Sequence, residues 1–127
     1  MTMSMDRVTG PAGSAEAEPT GWTPVCRVSD LEPLWGEAAL VGAEQIALFR
    51  LADDRLFAVS NIDPATRAAV MSRGIVGSKG DRPTIASPLL KDVYELETGH
   101  CLTKADLDLP IWRIRVDDDV VLVAPPL

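Results

Sequence analysis

The residue types that most often perform chemistry are few and scattered in this chain. The single histidine, His100, stands beside one of the two cysteines, Cys101, so the pair could supply a base and a thiol nucleophile. Adjacent residues of a strand point to opposite faces, however, and the two side chains are predicted to diverge. A metal held by His100, Cys101 and an acid such as Asp63 is the other possibility, but the chain has no second Cys/His pair to complete a zinc site. We therefore predict no catalytic residue and no metal site, with His100 facing solvent at a turn.

Two further patterns that could do chemistry also have simpler explanations. The stretch GSKGD at 77–81 lacks both the spacing and the strand-to-helix context of a phosphate-binding loop. The adjacent carboxylates Asp53 and Asp54 fall in a predicted turn, where solvated acids are usual. Neither pattern indicates an active site.

Two short loops carry the frame of a known ligand site without its ligands. They are SNIDPAT at 60–66 and ASPLLKD at 86–92. With Cys at 63 and 87 and His at 65 and 90, they would read C-P-H and C-P-L-H, the paired ligand loops of a Rieske iron–sulfur protein. The vacated positions are held by Asp63, Ala65, Ser87 and Leu90.

These four residues cannot replace the ligands. Ala65 and Leu90 offer no donor atom, and Asp63 and Ser87 offer hard oxygen where an iron–sulfur cluster requires thiolate or imidazole. One histidine and two cysteines in the whole chain also exclude ligation by two His and two Cys, or by four Cys. We predict no cofactor in this chain.

The bulk composition is that of one globular domain. The chain has 127 residues, of which 46% are hydrophobic and 24% charged. The net charge of −7 argues against non-specific binding to nucleic acid. No apolar run approaches the roughly 20 residues needed to cross a bilayer, and no secretory signal is visible, so we expect a cytoplasmic protein. Cys26 and Cys101 are expected to be reduced thiols, buried or half-buried.

The hydrophobic pattern predicts an all-β domain over 21–127, after a disordered tail at 1–20. Strands are predicted at 22–28, 38–43, 44–51, 56–61, 84–87 and 92–96, and on both sides of the acidic turn at 117–119. Short helical turns are possible at 29–35, 65–72 and 103–107. Met71 is predicted to lie in the core, and Trp35 to be partly exposed. The expected fold is a Rieske-like antiparallel β-sandwich of short strands with two vacated cluster-binding loops.

A more specific resemblance rests on several motifs in order. The segments are SNIDP (60–64), MSRGIVG (71–77), SPLLK (87–91) and YELETGHC (94–101). Together they resemble the small subunit of the assimilatory NAD(P)H-dependent nitrite reductase, over residues 22–124. The resemblance implies an accessory subunit without a catalytic site of its own. It also implies a large-subunit partner that carries the flavin (FAD), siroheme and iron–sulfur cluster, uses NAD(P)H, and reduces nitrite to ammonium.

Positive charge is concentrated around the two loops. Residues 62–91 contain five bases and two acids, a net charge of +3 that leaves −10 on the rest of the chain. The bases are Arg67, Arg73, Lys79, Arg82 and Lys91. Because oriented charge favours encounter and register, we interpret the loops as a docking surface for the partner. The candidate docking residues are Asp63, Pro64, Arg67, Arg73, Pro88 and Lys91.

Each part of this docking hypothesis has a simpler alternative. The charges could be ordinary solvated loop residues, and Pro64 and Pro88 could merely rigidify the turns. Asp63 could hold the shape of its loop by accepting hydrogen bonds from backbone N–H groups. At the level of the whole protein, the alternative function is a stand-alone interaction or regulatory module on a degenerate Rieske scaffold for another oxidoreductase. A working electron-transfer ferredoxin is disfavoured by the single histidine.

Overall fold

The computed structural model describes residues 21–126, which form nine short strands in an all-β fold. The strands are β1 (Thr23–Arg27), β2 (Gly36–Val41), β3 (Glu44–Arg50), β4 (Leu56–Ser60), β5 (Ile75–Lys79), β6 (Arg82–Ala86), β7 (Val93–Glu95), β8 (Ile111–Asp117) and β9 (Val120–Ala124). Two single 3₁₀ turns, Val28–Asp30 and Met71–Arg73, interrupt the connections. The predicted fold class is confirmed. The tail predicted at 1–20 lies outside the described residues.

The strands form two antiparallel sheets. A six-stranded sheet has the order β1-β9-β8-β4-β3-β2, and a three-stranded sheet has the order β5-β6-β7. The six-stranded sheet is apolar on both faces at β3, because Ile46 and Leu48 enter one core cluster while Ala47 and Phe49 enter another. The second cluster also contains Ile85 of the small sheet, so it packs the two sheets together.

Turn chemistry sets the register of the predicted hairpins. Gly42 joins β2 to β3 with φ of +60°, where a side chain would be strained. In the acidic turn between β8 and β9, Asp118 and Asp119 have φ of +53° and +67°. Acidic residues tolerate this left-handed region better than most, and two such residues in succession match the twist of a tight hairpin.

One local expectation is wrong, and one strand was not predicted. The segment 65–72 is not a helix; it is a loop that ends in the 3₁₀ turn Met71–Arg73. Arg67 has φ of +67°, which interrupts any right-handed helical turn. Strand β5 was not predicted, because its residues are mostly exposed and lack the apolar alternation of a half-buried strand.

Other predictions agree with the structure. Met71 is fully buried, and Cys26 and Cys101 are free thiols, one buried and one half-buried. Trp35 is 69% exposed, more than expected. Within the described part of the chain, no helix is long and apolar enough to cross a membrane.

Candidate functional site

The two vacated loops leave strands of different sheets and meet at one end of the sandwich. We define loop 1 as residues 61–70, which follows β4, and loop 2 as residues 87–92, which follows β6. Each loop contains one of the vacated cysteine ligand positions: Asp63 in loop 1 and Ser87 in loop 2. Both side chains are buried.

Loop 1 turns around Asp63. Its backbone N–H donates to the Ala68 carbonyl at 2.8 Å, and its carbonyl accepts from the Arg67 N–H at 2.7 Å. Pro64 follows at the position where a fixed φ favours a turn. The turn closes with Arg67 in the left-handed region, a conformation that costs a non-glycine residue free energy.

Loop 2 repeats the same turn around Ser87. Its N–H donates to the Asp92 carbonyl at 2.9 Å, and its carbonyl accepts from the Lys91 N–H at 3.1 Å. Pro88 again occupies the second position, and Lys91 closes the turn with φ of +62°. The two loops therefore have matching hydrogen bonds at matching positions, and each ends its turn with a strained basic residue.

A direct side-chain hydrogen bond joins the loops. The Ser87 hydroxyl donates to Asp63 Oδ2 at 2.5 Å. The other carboxylate oxygen, Oδ1, accepts from the N–H groups of Ala65 at 2.8 Å and Thr66 at 3.4 Å. Burial raises the pKa of Asp63, but these hydrogen bonds outweigh it and hold the pKa below its usual value. The expectation that Asp63 holds the shape of its loop is thus consistent with its contacts.

Asn61 closes the base of loop 1, a role that the sequence reasoning missed. Its side-chain oxygen accepts from the Ser72 N–H at 2.7 Å, and its carbonyl accepts from the Met71 N–H at 3.0 Å. Its amide group donates to Gln45 at 3.4 Å. The sequence did offer a signal for this role: Asn61 is a polar residue at the end of an apolar strand, and a polar side chain buried there must be hydrogen-bonded.

Asp92 anchors loop 2 in a similar way and was also missed. This buried carboxylate accepts from Lys104 Nζ at 3.1 and 3.2 Å and from Thr103 Oγ1 at 2.9 Å. The loop is therefore tied to the segment that follows β7. With Asn61 and Asp92 in place, both loops are fixed at their bases as well as at their junction.

The remaining former ligand positions face outward. Ala65 is exposed, and Leu90 is 54% exposed beside Leu89 at 50%. Pro64 and Pro88 are half-buried. The end of the sandwich thus has a polar, hydrogen-bonded interior and a partly apolar outer surface.

The bases of this region separate into two groups. Arg67, Arg73 and Lys91 are exposed on or next to the loops. Lys79 and Arg82 lie opposite each other in the backbone register at the far end of the β5–β6 hairpin. This end is about 13 Å along the strand from Ile75, which lies at the loop end. The expectation that all five bases surround the loops is therefore wrong for Lys79 and Arg82.

The loop cations differ from most other cations of the chain in having no acidic partner among the described residues. Among residues 21–126, Arg67, Arg73 and Lys91 form no ion pair. Five of the other cations do, in the pairs Arg27–Asp119, Arg50–Asp54, Arg55–Asp53, Arg82–Glu95 and Lys104–Asp92, whereas Lys79 at the far end of the hairpin also forms none in this range. We refer to Arg67, Arg73 and Lys91 as the loop cations.

His100 and Cys101 do not form a nucleophile–base pair. His100 Nδ1 lies 3.1 Å from Asp108 Oδ1 on the surface. The Cys101 sulfur instead contacts Thr103 Oγ1 and the Lys104 N–H, each at 3.3 Å. In the described range, no three His, Cys, Asp or Glu side chains are grouped as metal ligands would be.

Comparison with known proteins connects this geometry to a family. Residues 21–124 match the model of the Rieske-like [2Fe–2S] domain. The chain is 38% identical to the nitrite reductase (NADH) small subunit of Escherichia coli K12, over 79% of this chain and 94% of the relative. A crystal structure of an NADH-dependent nitrite reductase small subunit from Mycobacterium tuberculosis superposes with a TM-score of 0.79 at 41% identity, covering 84% of this chain and 96% of that one.

A third relative contains a similar segment within a longer protein. The nitrite reductase [NAD(P)H] large subunit of Klebsiella oxytoca is 32% identical over 114 residues. The match takes in 87% of this chain but only 12% of the relative.

A [2Fe–2S] cluster, which the fold family implies, does not fit the residues present. Two of the four ligand positions hold Ala65 and Leu90, which have no donor atom and face outward. The other two hold oxygen side chains, Asp63 and Ser87, that are hydrogen-bonded directly to each other across the junction where the cluster would lie. The chain therefore belongs to the Rieske-like domain family and, within it, to the small subunits of the NAD(P)H-dependent nitrite reductase, an oxidoreductase complex.

Proposed function

We propose that this chain supports nitrite reduction as a cluster-free docking subunit, which binds the large subunit in the cytoplasm through loops 1 and 2. The large subunit would supply FAD, siroheme, the iron–sulfur cluster and the NAD(P)H site. The docking residues are Asp63, Pro64, Arg67, Arg73, Pro88 and Lys91. Asp63 and the prolines set the loop shape, and the three loop cations contact the partner.

The observation that carries this proposal is the unpaired state of the loop cations. Acids are in excess in this chain, and five cations of the body each have an acidic partner. The loop cations have none within the described residues, although two of them occupy strained backbone positions. Cations without a partner in a chain with excess acid support a role in binding an acidic surface.

The Klebsiella relative supports the choice of partner. A protein named as a large subunit contains a segment similar to most of this chain. Where the domain and the rest of that subunit share one polypeptide, their effective concentration is high. For a separate chain, charge complementarity between the loop cations and an acidic surface would provide encounter and register instead.

The test is binding to the purified large subunit, with Lys79 as the matched control. Arg67→Glu, Arg73→Glu and Lys91→Glu should each weaken the complex and lower its salt sensitivity, whereas Lys79→Glu, an equal charge change at the far end of the hairpin, should not. Nitrite-dependent NAD(P)H oxidation with and without the small subunit then reports whether docking alters turnover or enzyme lifetime.

A second pair of variants separates charge from folding. Arg67→Gly and Lys91→Gly relieve a positive φ while removing a cation, so the free energy of unfolding should change by less than about 1 kcal/mol. Binding should nevertheless weaken. Failure of the wild-type chain to bind the large subunit at all would contradict the proposal and favour a module serving another oxidoreductase.

A further inference from the structure

Two large apolar side chains are exposed outside the two loops, on segments that meet beside loop 1. Trp35 is 69% exposed and Ile75 is 72% exposed. We call these two residues the apolar patch. Large aromatic residues contribute strongly to burial energy, so an exposed tryptophan beside other apolar residues is typical of an interaction site rather than of a free surface.

The backbone brings the members of the patch together. Gly36, the residue after Trp35, lies so close to the Met71–Arg73 turn that a Cβ there would be 2.2 Å from the Ser72 carbonyl oxygen. Trp35 thus adjoins the segment that carries Arg73 and leads into Ile75. The neighbouring Leu34 lies outside the patch, because it lines a groove of about 500 Å³ that extends along β5 to the hairpin turn at Gly80 and Asp81.

The patch is continuous with the surface proposed for docking. Arg73, one of the loop cations, follows Ser72, whose carbonyl lies against Gly36, and precedes Ile75 by two residues. Strand β5 is also the outer strand of its sheet, pairing only with β6 among the described strands. An apolar area beside an unpaired cation matches the usual anatomy of an interface, with an aromatic anchor near a charged rim.

We propose that the large subunit covers the apolar patch, with Trp35 inserted into an apolar recess of that subunit and an acidic side chain of the same surface facing Arg73. This inference rests on the proposed function, because it assumes the same partner, and it adds the dominant contact. Charge steers the encounter, while burial of Trp35 slows dissociation. An aromatic anchor of this kind typically costs tenfold or more in affinity when truncated.

The first test compares Trp35→Ser with Leu40→Ser in binding to the large subunit. Leu40 is 68% exposed on the edge strand β2, which begins directly after Trp35, and it lies about 13 Å along that strand from Gly36. Trp35→Ser should raise Kd about 30-fold, mainly through faster dissociation, and Ile75→Ser should raise it less. Leu40→Ser should leave Kd within about twofold. Since all three side chains are exposed, thermal unfolding should show that the variants remain folded.

The second test observes the tryptophan directly. The chain has three tryptophans, of which Trp112 is buried and Trp22 is half-buried. With 5-fluorotryptophan incorporated, the ¹⁹F resonance that disappears in Trp35→Phe should shift and lose solvent accessibility when the large subunit is added, whereas the other two should change little.

The outcomes distinguish this inference from the proposed function. Loss of binding in the loop-cation variants with unchanged binding in Trp35→Ser would overturn the inference alone. No binding by the wild-type chain would overturn both. If Trp35→Ser instead abolished a concentration-dependent dimer of the free chain and left the large-subunit Kd unchanged, the patch would be covered by a second copy, and the proposal would be wrong.

Discussion

The hydrogen bond between the Asp63 and Ser87 side chains should make a measurable contribution to the free energy of unfolding, because it joins loop 1 directly to loop 2. Both residues are buried, and the carboxylate is charged at neutral pH. A hydrogen bond to a charged group contributes about 1.5–3 kcal/mol. We expect Ser87→Ala to lower the free energy of unfolding by about that amount. Asp63→Ala should cost about 2–4 kcal/mol, since the Ala65 and Thr66 amides also lose their acceptor.

The assay is a double-mutant cycle by urea unfolding at neutral pH. If the two side chains interact as the structure shows, the double variant should be less destabilised than the sum of the singles, with a coupling of about 1.5–3 kcal/mol. Ser78→Ala, at an exposed serine of β5, is the control and should change the free energy of unfolding by less than about 0.5 kcal/mol. A coupling no larger than that control value would refute the direct bond.

The same interaction has a definite pH dependence. The pKa of Asp63 is lowered in the fold from the ordinary value of 3.8. Its stabilising contribution is therefore complete above that value and is lost as the pH falls through the lower, folded-state pKa. The difference in unfolding free energy between wild type and Asp63→Ala should be constant from about pH 7 to about pH 5 and should shrink in stronger acid. A difference that grows on acidification would mean that burial, not hydrogen bonding, controls this carboxyl.

The remaining predictions concern loop closure, packing and thiol reactivity. Asn61→Ala should cost about 1–3 kcal/mol, because it leaves the half-buried Ser72 N–H without its acceptor, and hydrogen exchange at Ser72 should accelerate more than in the sheet core. Gly36→Ala should destabilise the domain by about 1–3 kcal/mol in thermal or urea unfolding, since the new methyl group would meet the Ser72 carbonyl; an unchanged midpoint would contradict that packing. Burial, followed by nearby acids, raises the pKa of Cys26 to about 12, so iodoacetamide at mildly alkaline pH should label Cys101 in the native protein and Cys26 only after unfolding. Rapid native labelling of both thiols would show that Cys26 is not buried in solution.

Much of the fold follows from local sequence patterns. The hairpin on either side of Gly42 and the final hairpin through the acidic turn were predictable, because alternation of apolar residues and turn chemistry act over a few residues. Strand β5 was not predictable in this way. It is held by pairing with β6 across the hairpin, and its own side chains bury little.

The sequence by itself determined the class of the protein and the chemistry it lacks. Ligand identity depends only on residue type, so the replacement of Cys and His at positions 63, 65, 87 and 90 excludes a Rieske cluster however the chain folds. The ordered motifs likewise indicated the family, which the comparisons confirm.

Only the tertiary structure decided what occupies the former cluster site and which surface faces outward. Asp63 and Ser87 are 24 residues apart, and their hydrogen bond exists because β4 and β6, from different sheets, end at the same side of the sandwich. Packing of Gly36 against Ser72 likewise brings the segment that carries Trp35 beside the Met71–Arg73 turn, 36 positions further along the chain. Such contacts depend on which strand ends, distant in sequence, come together in the fold, and local residue propensities do not determine that.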